Sequence, residues 1–173
     1  PAPLNIVLVV MESFTARLTG CLGGVPALSP ALDKLANEGV LFERCYATGE
    51  RTIQGLEAAV CSFPPLPGAG AIKRPQARQD FANLATVLKE RGYATLFLYG
   101  GQGIFDQMRA FFVANGFDSF IEERDFSNPK FKSPWGVSDE DLFHRGDEEF
   151  RRLHGQGKPF FATLLTVSLH SPW

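Results

Sequence analysis

Apolar positions along this 173-residue chain follow two spacings, one of strands and one of helices, and the two alternate from end to end. Residues 4–11, LNIVLVVM, form an apolar run with β-branched side chains, the pattern of a strand covered on both faces. SPALDKLANEG (29–39) predicts a helix, with Ser29 as N-cap, Pro30 at the first helical position and Gly39 as its stop. VLFERCY (40–46) predicts the next strand, and 53–62 the helix that follows a Gly-Glu-Arg-Thr turn. Pro and Gly crowd residues 62–76, which read as a surface loop. FANLATVLKERG (81–92) sets Leu84, Val87 and Leu88 on one helical face, YATLFLY (93–99) predicts a buried strand, and 104–116 a helix. After a polar loop at 123–136, residues 138–154 predict a helix with acids at its start and bases at its end, as the helix dipole favours. PFFATLLTVSLH (159–170) predicts the last strand.

Strands alternating with helices imply an α/β fold: one domain over residues 1–173, with a mainly parallel β-sheet flanked by helices on both faces. Function in such sheets gathers at the carboxyl ends of the strands. Glu12, the Gly49–Thr52 turn, the Tyr99–Gly101 turn and His170 all follow the carboxyl end of a predicted strand. No internal repeat or low-complexity segment interrupts the pattern.

Composition narrows the partners. A net charge of −2 leaves no electrostatic footprint for nucleic acid, though a local pocket can still be positive. The longest clean apolar run, IVLVVM, is far short of the ~20 residues that cross a bilayer. No signal peptide is visible, and the ends, PAPLN and LHSPW, read as those of a piece of a larger protein. Cys21, Cys45 and Cys61 lack paired metal spacing and leave two readings open, one disulfide with a spare thiol or three free thiols.

Three residues could carry chemistry. Glu12 ends an apolar run, where an uncompensated carboxylate is costly, so it needs a cation, a metal or several hydrogen bonds. A helix-start acid or a salt bridge to Arg17 is its plain alternative. Thr52 opens a helix, and its plain role is N-cap. A capping box is not completed, because Gly55 stands three residues on. A threonine hydroxyl becomes a nucleophile when a metal or base lowers its pKa, and a helix N-terminus favours the anionic charge that results. His170 ends the last predicted strand, while His144 and His154 lie on a polar helix and read as surface residues. YGGQGIF is not a dinucleotide loop, since Asp106 stands where the third glycine belongs. The formylglycine motif C-x-P-x-R is absent too: Cys61 is followed by SFPPL, and Cys21 and Cys45 fail as well.

With these residues assembled, the chain resembles the lipoteichoic-acid-synthase-like branch of the sulfatase/alkaline-phosphatase superfamily. The pieces that carry the resemblance are NIVLVVMESFTARLTG, SPALDKLANEGVLFERCYATGERTIQGLEA, LYGG with the FD and NGF that follow, SPWGVSDEDLF and FFATLLTVSLHSPW. They occur in order and span nearly the whole chain.

The resemblance implies the N-terminal part of an alkaline-phosphatase/sulfatase-like catalytic domain, anchored to the plasma (inner) membrane through a segment outside this chain and facing the periplasm or exterior. It implies a divalent metal, manganese first, with magnesium or zinc as alternatives. Glu12 takes the position of a metal-binding Glu, and Thr52 that of the catalytic Thr, which also binds the metal. His170 takes a substrate-lining position, and Arg51 is assigned to a phosphoryl oxygen, with solvent exposure as the plain alternative. The family's Asp-His metal ligands, in a Gly-Asp-His motif, are absent from this sequence and are expected beyond Trp173. The substrate pocket departs as well: Tyr99 replaces a His, and Asp106 and Met108 fall near a Trp and an Arg, a pattern closer to Gram-negative relatives.

The implied activity is transfer of a phosphoglycerol-type group from a phospholipid head group to an envelope glycan or lipid acceptor, through a phospho-threonine intermediate. Alternatives are a phosphoethanolamine transferase or phosphodiesterase/sulfatase-type hydrolase of the same superfamily, and a non-catalytic binding domain.

Overall fold

In the computed structural model, which describes residues 2–25, 28–65 and 67–171, four strands pair in parallel. They are β1 (Ile6–Val10), β2 (Ala94–Tyr99), β3 (Ser119–Ile121) and, last in the chain, β6 (Phe160–Leu165), in the order β1-β6-β2-β3. Opposite Thr163 of β6 stand Leu8 of β1 and Phe97 of β2, so β6 is an inner strand, as is β2 between β6 and β3. Parallel neighbours need crossover connections, and helices provide them. The chain divides into two compact units, residues 1–12 with 48–173, and residues 13–47.

Alternation along β2 and β6 builds two cores. Phe97, Tyr99, Phe161 and Leu165 face helices α2 (Thr52–Cys61), α3 (Leu84–Glu90) and α4 (Met108–Ala114). Leu96, Leu98, Phe160, Ala162 and Leu164 face α5 (Asp139–Gly155) through Leu142 and Leu153. Phe97 is fully buried, its ring 4.6 Å from Phe112 and 4.8 Å from Phe120 in stacked pairs, and 5.4 Å from Phe117 edge-on. The parallel sheet with helices on both faces is thus as the periodicity implies.

Several expectations need correction. Val40–Tyr46 forms no strand; it joins no ladder, and Val40, Phe42 and Tyr46 are exposed. A strand is defined by a partner's hydrogen bonds, and apolar content alone does not supply one. β1 is covered on one edge only, and Ile6, Val7 and Val9 keep exposed side chains. On α3 the buried face is Ala85 with Leu88, while Leu84 and Val87 face solvent, because Asn83 fixes the start of the helix by accepting the N–H groups of Ala85 and Thr86. The helix expected over 104–116 is broken: Asp106 and Gln107 have φ of 52° and 61°, and α4 begins only at Met108. β3 has no sequence signal, being three residues long. β6 stops at Leu165, so His170 lies in the loop beyond it. The loop at 62–76, apart from Leu66, which lies outside the described residues, contains 3-10 turns at Ala71–Lys73 and Pro75–Arg78. Pro172 and Trp173 of the last motif also lie outside the described residues.

In the second unit, α1 (Pro30–Glu38) follows two 3-10 turns. Asp33 ties it to the second of them, accepting the N–H of Cys21 at 2.9 Å, and that bond holds its carboxyl below the usual carboxylate range. Ser29 precedes α1 but caps nothing; its hydroxyl donates to the carbonyl of Leu18 at 2.7 Å.

The three cysteines are free thiols. Burial, and then the negative charge of Glu57, push the Cys61 thiol up to about 12. Thiolate is the reactive form, so Cys61 should resist iodoacetamide at pH 8 while exposed Cys45 is alkylated, as peptide mass mapping would show. Phe97→Ala should cost about 3–5 kcal/mol, the usual cost of emptying a large aromatic site, measured by urea unfolding of the intact protein.

Candidate active site

The carboxyl end of β1 delivers Glu12. Its backbone N–H donates to Thr166 Oγ1 at 2.9 Å, and Thr166 N–H donates to the carbonyl of Val10 at 3.1 Å. Glu12 is thereby fixed at the point where β1 and β6 end together. Thr52 is the first residue of α2; Arg51, not Thr52, occupies the N-cap position. The local frame is set by Gln54, whose side-chain oxygen accepts the N–H groups of Glu50 (3.0 Å) and Arg51 (3.2 Å). A capping interaction is therefore present one residue earlier than the sequence pattern suggests, which releases the Thr52 side chain from capping. That hydroxyl donates to Glu12 Oε2 at 2.7 Å. The pair spans 40 residues of sequence, and both side chains are half-buried.

This contact joins two residues that the sequence places at one sheet edge. It aligns a hydroxyl with a carboxylate at a helix N-terminus, where the first N–H groups favour negative charge on the oxygen or on a phosphoryl group beside it. The two oxygens are also hard donors within one coordination span, so they fit two positions around a divalent cation. Among the described residues no group of three or more His, Cys, Asp and Glu side chains could hold a metal by itself. Two oxygens alone are fewer than such a cation takes.

A second group stands beyond β2 and β6. The YGG turn after β2 is required by close approach. A side chain at Gly101 would meet the Tyr99 ring and the Trp135 carbonyl at 2.6–2.7 Å. The hairpin of β4 (Lys132–Ser133) and β5 (Gly136–Val137) docks there, with Val137 N–H donating to the Gly100 carbonyl at 2.9 Å. Gly136, at φ 144°, lies so close to Gly100 that a side chain could not fit. The hairpin carries Trp135 to His170, with ring centroids 3.8 Å apart. Asp139, at the start of α5, steadies the loop before His170 by accepting the N–H groups of Val167 (2.8 Å) and Ser168 (3.1 Å). His170 Nδ1 lies 2.9 Å from the Ser171 carbonyl.

Tyr99 is buried at the end of β2. Burial first, then the negative charges of Glu12, Asp106 and Glu123, push its hydroxyl up to about 12. It is therefore a neutral hydrogen-bond donor throughout the physiological range, one that feels both Glu12 and Asp106. Asp106 is ion-paired with Lys73, and its neighbour Gln107 accepts from Arg78 Nη2 at 2.9 Å. Two consecutive left-handed residues are costly, and both are held by the 3-10 turns of the preceding loop. Arg51 is exposed at the mouth of α2.

Sequence reasoning misses Trp135 and Lys73 as members of this edge. Trp135 enters it only as part of the SPWGV motif. Lys73 lies in a Pro/Gly-rich stretch whose punctuation hides its place.

Comparison with known proteins identifies the family. The chain matches the sulfatase family over residues 4–173. It is 31% identical over 161 residues to phosphoglycerol transferase I of Xanthomonas campestris pv. campestris (strain B100), covering 85% of this chain and 22% of that protein. A crystal structure of an alkaline phosphatase superfamily protein from Vibrio parahaemolyticus superposes with a TM-score of 0.93 at 47% identity, over 98% of this chain and 41% of that one. The lipoteichoic acid synthase LtaP of Listeria monocytogenes shares the fold, with a TM-score of 0.87 at 23% identity over 98% of this chain and 41% of that one. The chain spans about a fifth of the length of the curated relatives it matches. With its family match running nearly end to end, and without the formylglycine motif of ordinary sulfatases, this chain belongs to the sulfatase family and adopts the alkaline-phosphatase-like fold.

Proposed function

We propose that this chain is the nucleophile-bearing part of a phosphotransferase that moves a phosphoglycerol-type group from a phospholipid to a hydroxyl acceptor of the cell envelope. The observation that carries the reading is the 2.7 Å contact from Thr52 Oγ1 to Glu12 Oε2 at the N-terminus of α2. Similarity to phosphoglycerol transferase I supports the choice of transferred group. The protein works at the plasma or inner membrane, with its catalytic domain on the outer side. No helix of the described residues is long and apolar enough to cross a membrane, so anchoring is assigned to a segment outside this chain.

In this reading Thr52 Oγ1 attacks the phosphorus of the lipid's phosphodiester. The phosphorus–oxygen bond to diacylglycerol breaks, and diacylglycerol leaves with a proton. The phosphoglycerol group, now esterified to Thr52, passes to an acceptor hydroxyl, which restores the threonine. Glu12 orients Oγ1 and accepts its hydrogen bond, holding the lone pair of the nucleophile toward the phosphorus. The helix N-terminus favours the phosphoryl charge. Glu12 and Thr52 are the residues of this chain that would hold a divalent cation, manganese first and magnesium or zinc next, which when bound lowers the hydroxyl's pKa and neutralises phosphoryl charge. Tyr99 donates a hydrogen bond to the substrate, His170 and Asp106 line its path, and Arg51 meets a phosphoryl oxygen at the mouth.

Thr52→Ala in the intact protein should lower release of diacylglycerol from labelled phosphatidylglycerol by at least roughly a thousand-fold, the scale of losing a nucleophile. Thr52→Ser should retain most of the rate. Unchanged lipid turnover in the alanine variant would sink the catalytic reading, and equal turnover of labelled phosphatidylethanolamine would overturn the choice of head group.

Tyr99→Phe should reduce kcat/KM about ten-fold or more, through loss of one hydrogen bond to a charged group. The same substitution should remove the phenolate absorbance that rises near pH 12. Because the folded-state pKa is raised, the stability tied to this proton is complete below about pH 10 and is lost as pH climbs toward 12. Urea unfolding across that interval should therefore fall less steeply in Tyr99→Phe.

A further inference from the structure

The segment running from the β4–β5 hairpin into α5 grips the loop after β6 at two points. Asp139, the first residue of α5, holds the loop's backbone: it accepts the N–H groups of Val167 and Ser168, and its own N–H donates to Ser168 Oγ at 2.9 Å. Trp135, on the hairpin before it, holds a ring: its centroid lies 3.8 Å from that of His170, with the planes 35° from parallel. One glycine stands behind both grips. A side chain at Gly100 would meet the Val137 carbonyl at 3.2 Å and Val167 Cγ2 at 3.1 Å, so hairpin and loop close on the same backbone.

A hairpin with strands this short has little stability of its own. Its turn is nonetheless closely specified around the indole. Trp135 N–H donates to Ser133 Oγ at 3.1 Å, and Ser138 N–H donates to the Phe131 carbonyl at 3.0 Å. Phe105, the residue before Asp106, meets the indole edge-on, with centroids 6.2 Å apart and planes at 82°. The indole is therefore braced from the Asp106 turn and pressed against the His170 ring.

His170 has a reason to be held. A carbonyl only accepts, so in the contact with Ser171 the proton lies on Nδ1, and Nε2 is the nitrogen left for substrate. A space of about 80 Å3 opens beside His170, among Ser133, Val137 and Ser168, so the imidazole has room to turn. Stacking on the indole removes that freedom before substrate arrives, which is how a site lowers the cost of orientation.

We propose that Trp135 is the positioning residue of His170: its indole, braced by Phe105, fixes the imidazole plane so that Nε2 meets the group transferred at Thr52. The inference rests on the functional reading above, which puts His170 on the substrate's path.

The test uses the intact protein and release of diacylglycerol from labelled phosphatidylglycerol. Trp135→Ala should lower kcat by roughly ten- to a hundred-fold, the scale set by misplacing a working group. Trp135→Phe keeps an aromatic face and should recover most of the rate. Trp135→Leu fills the space without one and should behave as the alanine variant. Adding Trp135→Ala to His170→Ala should lower kcat no further than His170→Ala alone, because the indole acts through the imidazole. Additive losses, or a leucine variant as fast as the unaltered protein, overturn the proposal.

A chemical arm reads the ring without any turnover. Near neutral pH, diethyl pyrocarbonate should modify His170 more slowly than exposed His154, as peptide mass mapping would show. Trp135→Ala should bring the two rates together, in the Thr52→Ala protein as well, so this arm stands apart from the functional reading. A His170 rate that Trp135→Ala leaves unchanged overturns the proposal. So does faster His170 modification with kcat unaltered, since the indole would then merely cover the ring.

Discussion

Parallel pairing of β6 with both β1 and β2 is the constraint from which the candidate site follows. Antiparallel neighbours would send alternate strand ends to opposite edges. Parallel ones deliver every carboxyl end to the same edge, so Glu12, Tyr99 and the loop to His170 arrive together. The two core clusters make that arrangement stable, since β2 and β6 bury alternate side chains against α2–α4 on one face and α5 on the other. Hydrophobic burial thus fixes which atoms can meet, and polar contacts then select a geometry among them. Thr166 is an example: its N–H continues the β1–β6 ladder while its hydroxyl accepts from Glu12.

The site combines strong placement with local strain. Thr52 sits on a regular helix, and Gln54 rather than Thr52 supplies the side-chain acceptor for the N–H groups ahead of that helix. Asp106 and Gln107 instead occupy left-handed backbone, held by Lys73 and Arg78 from an adjoining loop. Such strain persists only where surrounding contacts over-determine it. It turns the chain so that α4 starts only at Met108.

Much of the fold was legible in the sequence because continuous apolar runs and helix-start signals leave a simple mark. Strands β1, β2 and β6 are apolar runs, and α5 carries Ser138 as N-cap with acids in its first turn. The misreadings share a cause. Val40–Tyr46 looks like a strand by content, yet a strand exists only with a partner. β3 is too short to carry periodicity, and its place depends on pairing Phe120 with Phe97. The break at Asp106 has no glycine to announce it; two long-range contacts impose it.

The sequence by itself determined the α/β class, the strand ends at which chemistry collects, and the candidacy of Glu12 and Thr52, because these depend on local periodicity and residue type. Tertiary structure decided that Thr52 Oγ1 reaches Glu12 at 2.7 Å, that Trp135 lies against His170, and that Gly100 and Gly101 serve close packing with the β4–β5 hairpin. Those are contacts between segments 34 to 40 residues apart in sequence. No local rule encodes such distances, which arise only when the whole sheet sets the register of every strand against its neighbours.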